Sequence, residues 1–209
     1  HSEGIYTAGD ANADYDIFGD HISRFVHTIG YTSPHIKENR PSEQQIYDML
    51  MGRRTDEDPG KPLPEGTTAR EAYAAHVKDD MKEKYKQDFS HLTVTETIDS
   101  IEYFVFPNAF FFPGLQLSMV YRFRPNGVDG ALFDLLFLRP KPVDGPCPPP
   151  PEAFELGIED SYTKCPGTEF LGAVYDQDTN NLMSQTKGFK TSLKKGQSLG
   201  NYQEARTRH

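Results

Sequence analysis

The chain has 209 residues, of which 36% are hydrophobic and 25% charged, the composition of a folded globular protein rather than a disordered one. Its formal net charge of -9 argues against nucleic acid and anionic membrane surfaces as partners, since both are held by clustered lysine and arginine. No apolar run approaches the roughly 20 residues of a membrane span, and the opening HSEGIYTAGD has neither the basic start nor the apolar stretch of a signal peptide.

One domain is the expectation at this length. The absence of an initiator methionine and of a natural stop near RTRH makes the chain look like an excised piece of a longer one. Cys147 and Cys165 are each followed by proline and have no Cys or His at metal-ligand spacing, so free thiols in a reducing cytosol are expected.

In chain order, DYDIFGDHISRFVH alternates loosely and predicts a strand. Ser42 and Gln45 make a capping-box pattern for a short helix over 43–51, with Gly52 past its end. Residues 53–66 are polar and rich in turn formers, hence a loop. Thr68 and Glu71 start a longer helix running to about 88, whose Ala, Lys and Glu favour helix. The stretches IEYFVF (101–106), LQLSMVYRFR with Leu115, Leu117, Met119, Tyr121 and Phe123 on one face, and ALFDLLFLR (131–139) predict an antiparallel meander, turned at Pro125-Asn126-Gly127. The proline run 146–151 must leave the sheet, because proline cannot donate to a ladder. A helix is predicted over 168–187, closed by Gly188, and a last helical start at 201–209. The order of elements predicts an α+β fold.

The helix over 168–187 carries the chemical signal. Leu171, Val174, Tyr175, Asp178, Leu182 and Gln185 recur at three- or four-residue spacing and share a stripe, which is mostly apolar and predicted to pack on the sheet. Asp178 stands in its middle. Burying an unpaired carboxylate costs several kcal/mol, so a compensating partner is needed. Two readings stand side by side: a pairing with Arg122, Arg124 or a tyrosine hydroxyl, and a metal ligand. One carboxylate with two histidines is a non-heme Fe(II) site that leaves positions open for dioxygen, and seven histidines are present.

The segment VYDQDTNNLMSQTKGFKTS resembles the region of Rieske-type non-heme iron aromatic-ring-hydroxylating oxygenase α-subunits that supplies the carboxylate ligand. There an acidic-Gln-Asp stretch is followed by Asn-Leu and then Gln-x-Gly; here Asp176-Gln177-Asp178, Asn181-Leu182, and Gln185 with Gly188 stand in those places. The closing LGNYQEARTRH is similar to the family's last helix. IEYFVFPNAFFFPG, LQLSMVYRFRPNG and LFLRPKP resemble its central sheet, and YTAGDANADYDIFGDHISRF the stretch after its histidine pair. The resemblance covers nearly the whole chain and is specific in its ordering.

The resemblance implies residues 1–209 to be part of a catalytic domain of helix-grip (START/Bet v1-like) type, a curved antiparallel sheet packed on a long C-terminal helix. It implies mononuclear Fe(II) held by His1, Asp178 and a histidine upstream of residue 1, with Asp176 pointing elsewhere. It implies an aromatic substrate and dioxygen as reactants. Val174, Leu182, Phe104 and Phe106 are the implied pocket residues, with Phe110 to Phe112 further candidates. Electrons would come from NAD(P)H through a reductase and often a ferredoxin to a Rieske 2Fe–2S cluster. No Cys-His pairs for that cluster occur in this chain, so the Rieske domain is absent from it and the piece alone is expected to be inactive. A homotrimer and a cytoplasmic location are further implications. His21 and His27 fall in the family-like opening and are candidates for pocket lining; His35, His76, His91 and His209 have no assigned role. No Gly-x-Ser-x-Gly elbow supports a hydrolase. The competing reading is a non-catalytic helix-grip module binding an apolar small molecule, which would need no carboxylate on a core face.

Overall fold

The structure, a computed structural model, describes residues 13–34, 36–54, 57–168, 171–194 and 196–200. The chain divides into two compact units, His1–Pro148 and Pro149–His209. The division falls in the proline run, where the backbone can join neither ladder nor helix.

The first unit is built on six antiparallel strands in sequential order: β1 (Asp14–Phe18), β2 (Ile22–His27), β3 (Ser100–Val105), β4 (Ala109–Pro113), β5 (Ser118–Pro125) and β6 (Ala131–Phe137). Three helices are inserted between β2 and β3: α1 (Glu43–Leu50), α2 (Ala69–Tyr85) and α3 (Val94–Ile98). DYDIFGDHISRFVH, read as a strand, is in fact a hairpin, because Gly19 at φ 65 turns the chain between β1 and β2. The strand expected over 131–139 ends at Phe137. α3 was not foreseen, and β4 was implied only by the resemblance of IEYFVFPNAFFFPG to a central sheet; AFFFP is short and contains a proline, features that weaken a strand signal.

Each helix starts on a capping box. Ser42 with Gln45, Thr68 with Glu71, and Thr93 with Glu96 each exchange the two reciprocal hydrogen bonds. The second helix stops at Tyr85 rather than 88, since Lys86 takes the left-handed conformation at φ 56 and ends the ladder. The helical layer has two small cores. Ile46, Tyr47, Ala69 and Ala72 form one, and Ala74, Val77 and Ile98 the other.

The alternation of the strands gives the sheet two different faces. Register places Phe25 opposite Glu102, Phe104 opposite Phe110, Phe110 opposite Tyr121, and Phe123 opposite Phe133, all on one face. Phe123 and Phe133 stack at 4.5 Å with 5° between their planes. The other face is mixed, carrying Arg24 bonded to Asp16, and Arg122 and Arg124 both bonded to Asp134.

In the second unit a 3-10 turn (Tyr162–Lys164) precedes helix α4 (Gly172–Thr191). This helix was expected over 168–187 with Gly188 as its stop; Gly188 is instead inside it, and Ser192 ends it. The molecule is therefore mixed α+β, with an antiparallel sheet and a C-terminal helix. Among the described residues no helix is long and apolar enough to cross a membrane.

Candidate functional site

Helix α4 and the 3-10 turn are fixed to each other through Asp176. Its carboxylate accepts from the Ser161 hydroxyl at 2.6 Å and from the Tyr162 backbone N–H at 2.8 Å. These two donors, the hydroxyl first, hold the Asp176 carboxyl below the usual carboxylate range. The preceding residue, Tyr175, is buried against Tyr162, their rings 5.5 Å apart. Gly172 permits the approach: a Cβ there would meet the Thr163 backbone nitrogen at 2.9 Å. Residues 172–176 are thus the anchored end of the helix.

Two residues on, Asp178 lies outside that anchor. It is exposed, as are Leu182 and Gln185, whereas Leu171 and Val174 are half-buried. The expectation that this stripe is buried around a carboxylate is corrected here. An exposed carboxylate has no desolvation penalty for a cation to offset, so the energetic argument for a metal at Asp178 does not apply. Asp176 is bonded to Ser161 and Tyr162, and Asp178 is exposed. The arginines considered as its partners, Arg122 and Arg124, both turn to Asp134 at 2.8 Å.

His1, the second implied ligand, lies outside the described residues, as do His35, His209 and the expected last helix at 201–209. Among the described residues no three His, Cys, Asp or Glu side chains gather as a metal site. Asp178 alone of the implied ligands lies among the described residues. Cys147 and Cys165 are free thiols.

The aromatic face of the sheet holds the other feature. Phe104 and Phe110 lie 4.9 Å apart, Phe110 meets Phe123 edge-on at 6.1 Å, and Pro107, Asn108, Pro125, Gly130 and Ala131 complete a recess of about 440 Å3. No titratable group lines it. Phe106, paired with Phe104 as a pocket candidate, is not part of the recess; it is 59% exposed past the end of β3 and stacks on His21 at 5.5 Å. On the opposite face a groove of about 660 Å3 runs over Phe18, Ile22, Tyr103 and Phe111, with Arg24 in it bonded to Asp16.

Glu102 is the residue that sequence reasoning missed. It sits on the aromatic face, one pleat from Phe104, opposite Phe25. Ser100 donates its hydroxyl to Glu102 Oε1 at 2.9 Å. Burial pushes the Glu102 carboxyl up, while Ser100 and the charge of His27 act in the other direction. The signal was in the strand itself: in IEYFVF the acid is in phase with a phenylalanine, and such an acid must face the same side.

No family model, no curated protein and no solved structure matches this chain.

Proposed function

We propose that the chain is the greater part of the catalytic domain of a Rieske-type aromatic-ring oxygenase, on a helix-grip fold. The ordered resemblance along the sequence supports this reading. The sequence resemblance is what carries it; the exposure of Asp178 on α4 removes the energetic argument for a buried metal ligand. Asp178, His1 and a histidine upstream of it would hold ferrous iron, whose contribution when bound is to activate dioxygen for hydroxylation of an aromatic ring. The chain's own part is to orient one carboxylate and to offer an aromatic wall of Phe104, Phe110 and Phe123. Electron supply from NAD(P)H through a reductase, with or without a ferredoxin, a Rieske cluster outside this chain, a trimeric assembly and a cytoplasmic setting belong to the same proposal.

The test uses the whole polypeptide, including the coding sequence upstream of His1. That sequence should hold a histidine five positions earlier and, further back, two Cys-x-His pairs. Iron content and the visible spectrum of the cluster are then measured for the parent and for Asp178→Ala. The expected outcome is loss of the mononuclear iron with the cluster spectrum intact. Retention of all iron by the variant would refute the ligand assignment.

A second reading, a non-catalytic module for an apolar small molecule, is favoured by the apolar recess at Phe104 and by the exposure of Asp178. Under that reading the parent protein holds no mononuclear iron, and ligand binding survives Asp178→Ala.

A further inference from the structure

The proposed function leaves one motif of the sequence unused, the proline run that follows the sheet. Pro148, Pro149, Pro150 and Pro151 stand in succession, after Pro146 and Cys147. Each proline ring fixes φ at about −65°. Cys147, Pro148, Pro149 and Pro150 each precede a proline, which keeps them out of the helical region. Covalent geometry therefore favours the polyproline II conformation here, a left-handed helix of three residues per turn that rises about 3.1 Å per residue. In that conformation Pro148 and Pro151 share one edge, about 9 Å apart. Residues 143–155 are all exposed, and none belongs to a helix or strand.

A spacer needs nothing beyond this stiffness. The segment has more, because large apolar side chains flank the prolines in open solvent: Val143 is 69%, Phe154 54% and Ile158 80% exposed. Such side chains add nothing to a spacer, whereas a recognition segment presents them to a partner. Docking the run also orders little, since the proline rings have already removed the backbone freedom that association would otherwise cost. The charge beside the run has one sign. Asp144, Glu152 and Glu155 are exposed, and no lysine, arginine or histidine occurs between Pro142 and Thr163.

We propose that residues 143–158 are a docking segment for a partner protein. The partner's aromatic-lined groove takes the turn Pro148–Pro151, an adjoining apolar site takes Phe154, and basic side chains on the rim face Glu152 and Glu155. This goes beyond the oxygenase reading and does not rest on it, since neither iron nor the sheet takes part.

The experiment titrates the full chain into a WW domain of the class that binds uninterrupted prolines, with lysine or arginine beside its groove. The chain has no tryptophan, so the fluorescence of the groove's own tryptophan reads binding without interference. The parent should bind saturably. Replacing Pro148, Pro149, Pro150 and Pro151 together with alanine should abolish binding, and Phe154→Ala should weaken it several-fold. Glu152→Lys with Glu155→Lys should weaken it by on the order of tenfold and remove most of its salt dependence. Pro142→Ala, outside the run, should leave it unchanged. The substituted prolines, Phe154 and the two acids are all exposed, so urea midpoints equal to the parent's should show that the fold is intact in those variants. No saturable binding by the parent would leave the run a spacer only and overturn the assignment. Binding that survives loss of the four prolines, or that ignores reversal of the two acids, would overturn it as well.

Discussion

Asp99 and Arg70 form the most enclosed charge pair among the described residues. The Asp99 side chain is fully buried and Arg70 nearly so, at 0% and 11% exposure. The guanidinium donates twice, Nη1 to Oδ1 at 2.7 Å and Nη2 to Oδ2 at 2.9 Å, and the Ile29 N–H adds a third donor at 2.8 Å. Arg70 also donates to the Ile29 carbonyl and lies over the Tyr31 ring. One side chain of α2 thereby fastens the start of β3 to the segment leaving β2. Gly30, at φ 85, lets the stem of Arg70 pass; a Cβ would meet its Cγ at 2.6 Å. Removing one partner leaves the other charge buried. Arg70→Ala should therefore cost about 3–5 kcal/mol, and Arg70→Met with Asp99→Leu together much less, as read by urea denaturation. Asp134 makes a different prediction. Its bonds to Arg124 and then Arg122 lower its pKa from 3.8 to about 2, so its contribution is present above pH 4 and is lost as pH falls toward 2. Asp134→Asn should be less stable than the parent at pH 6, and the gap should close on acidification to pH 2. The two sites also mark how far residues alone could be read. Asp178 stood out because helical periodicity put it among apolar neighbours, yet periodicity identifies a stripe without saying what covers it. Glu102 drew no notice because one acid in a strand is ordinary until the register brings Phe25, Phe104 and Phe110 around it.

Helix starts were the most legible elements, and the reason is local. A capping box is contained in four consecutive residues, so Ser42–Gln45 and Thr68–Glu71 could be recognised without tertiary information. The third box, Thr93–Glu96, follows the same rule but opens a helix of 5 residues, too short to show an apolar period. Helix ends were less legible. Lys86 terminates α2 in a left-handed conformation that its residue type does not announce, and Gly188, an expected stop, is carried within α4. In the sheet, β3 and β6 lie close to their expected places, β5 starts at Ser118 and leaves out Leu115 and Leu117 of the alternating stretch, and the β1–β2 hairpin needed neighbours to define it. These caps make a prediction at the same scale. Thr68→Ala removes the acceptor for the Glu71 N–H and the hydroxyl that donates to Glu71, and should lower stability by about 1 kcal/mol. Thr93→Ala should cost a similar amount, and a Ser replacement at either position should restore most of the loss, with urea midpoints as the measure.

At the scale of the whole molecule the chain is two units joined through proline. Residues 138–155 carry neither helix nor strand, and apart from Pro140 and Pro142 they are exposed. Proline removes backbone donors and disfavours helix in the residue before it, so a segment with Pro146, Pro148, Pro149, Pro150 and Pro151 cannot be drawn into either neighbouring element. This part of the architecture was legible from the sequence because it follows from covalent geometry rather than from packing. Cleavage should concentrate where backbone is exposed and free of ladder bonds. Lys141 and Arg139 precede prolines, which protects those bonds from trypsin, so the informative protease is one that cuts after glutamate. Glu152 and Glu155 lie in the exposed stretch, whereas Glu71 and Glu96 are tied into capping boxes and Glu102 into the sheet. Limited digestion under native conditions should therefore cut first at Glu152 or Glu155, giving two principal fragments by mass spectrometry before any cut in the helical layer. First cuts within α2 or β3 would instead mean that those elements open more readily than the connecting segment, contrary to their capping and their ion pair.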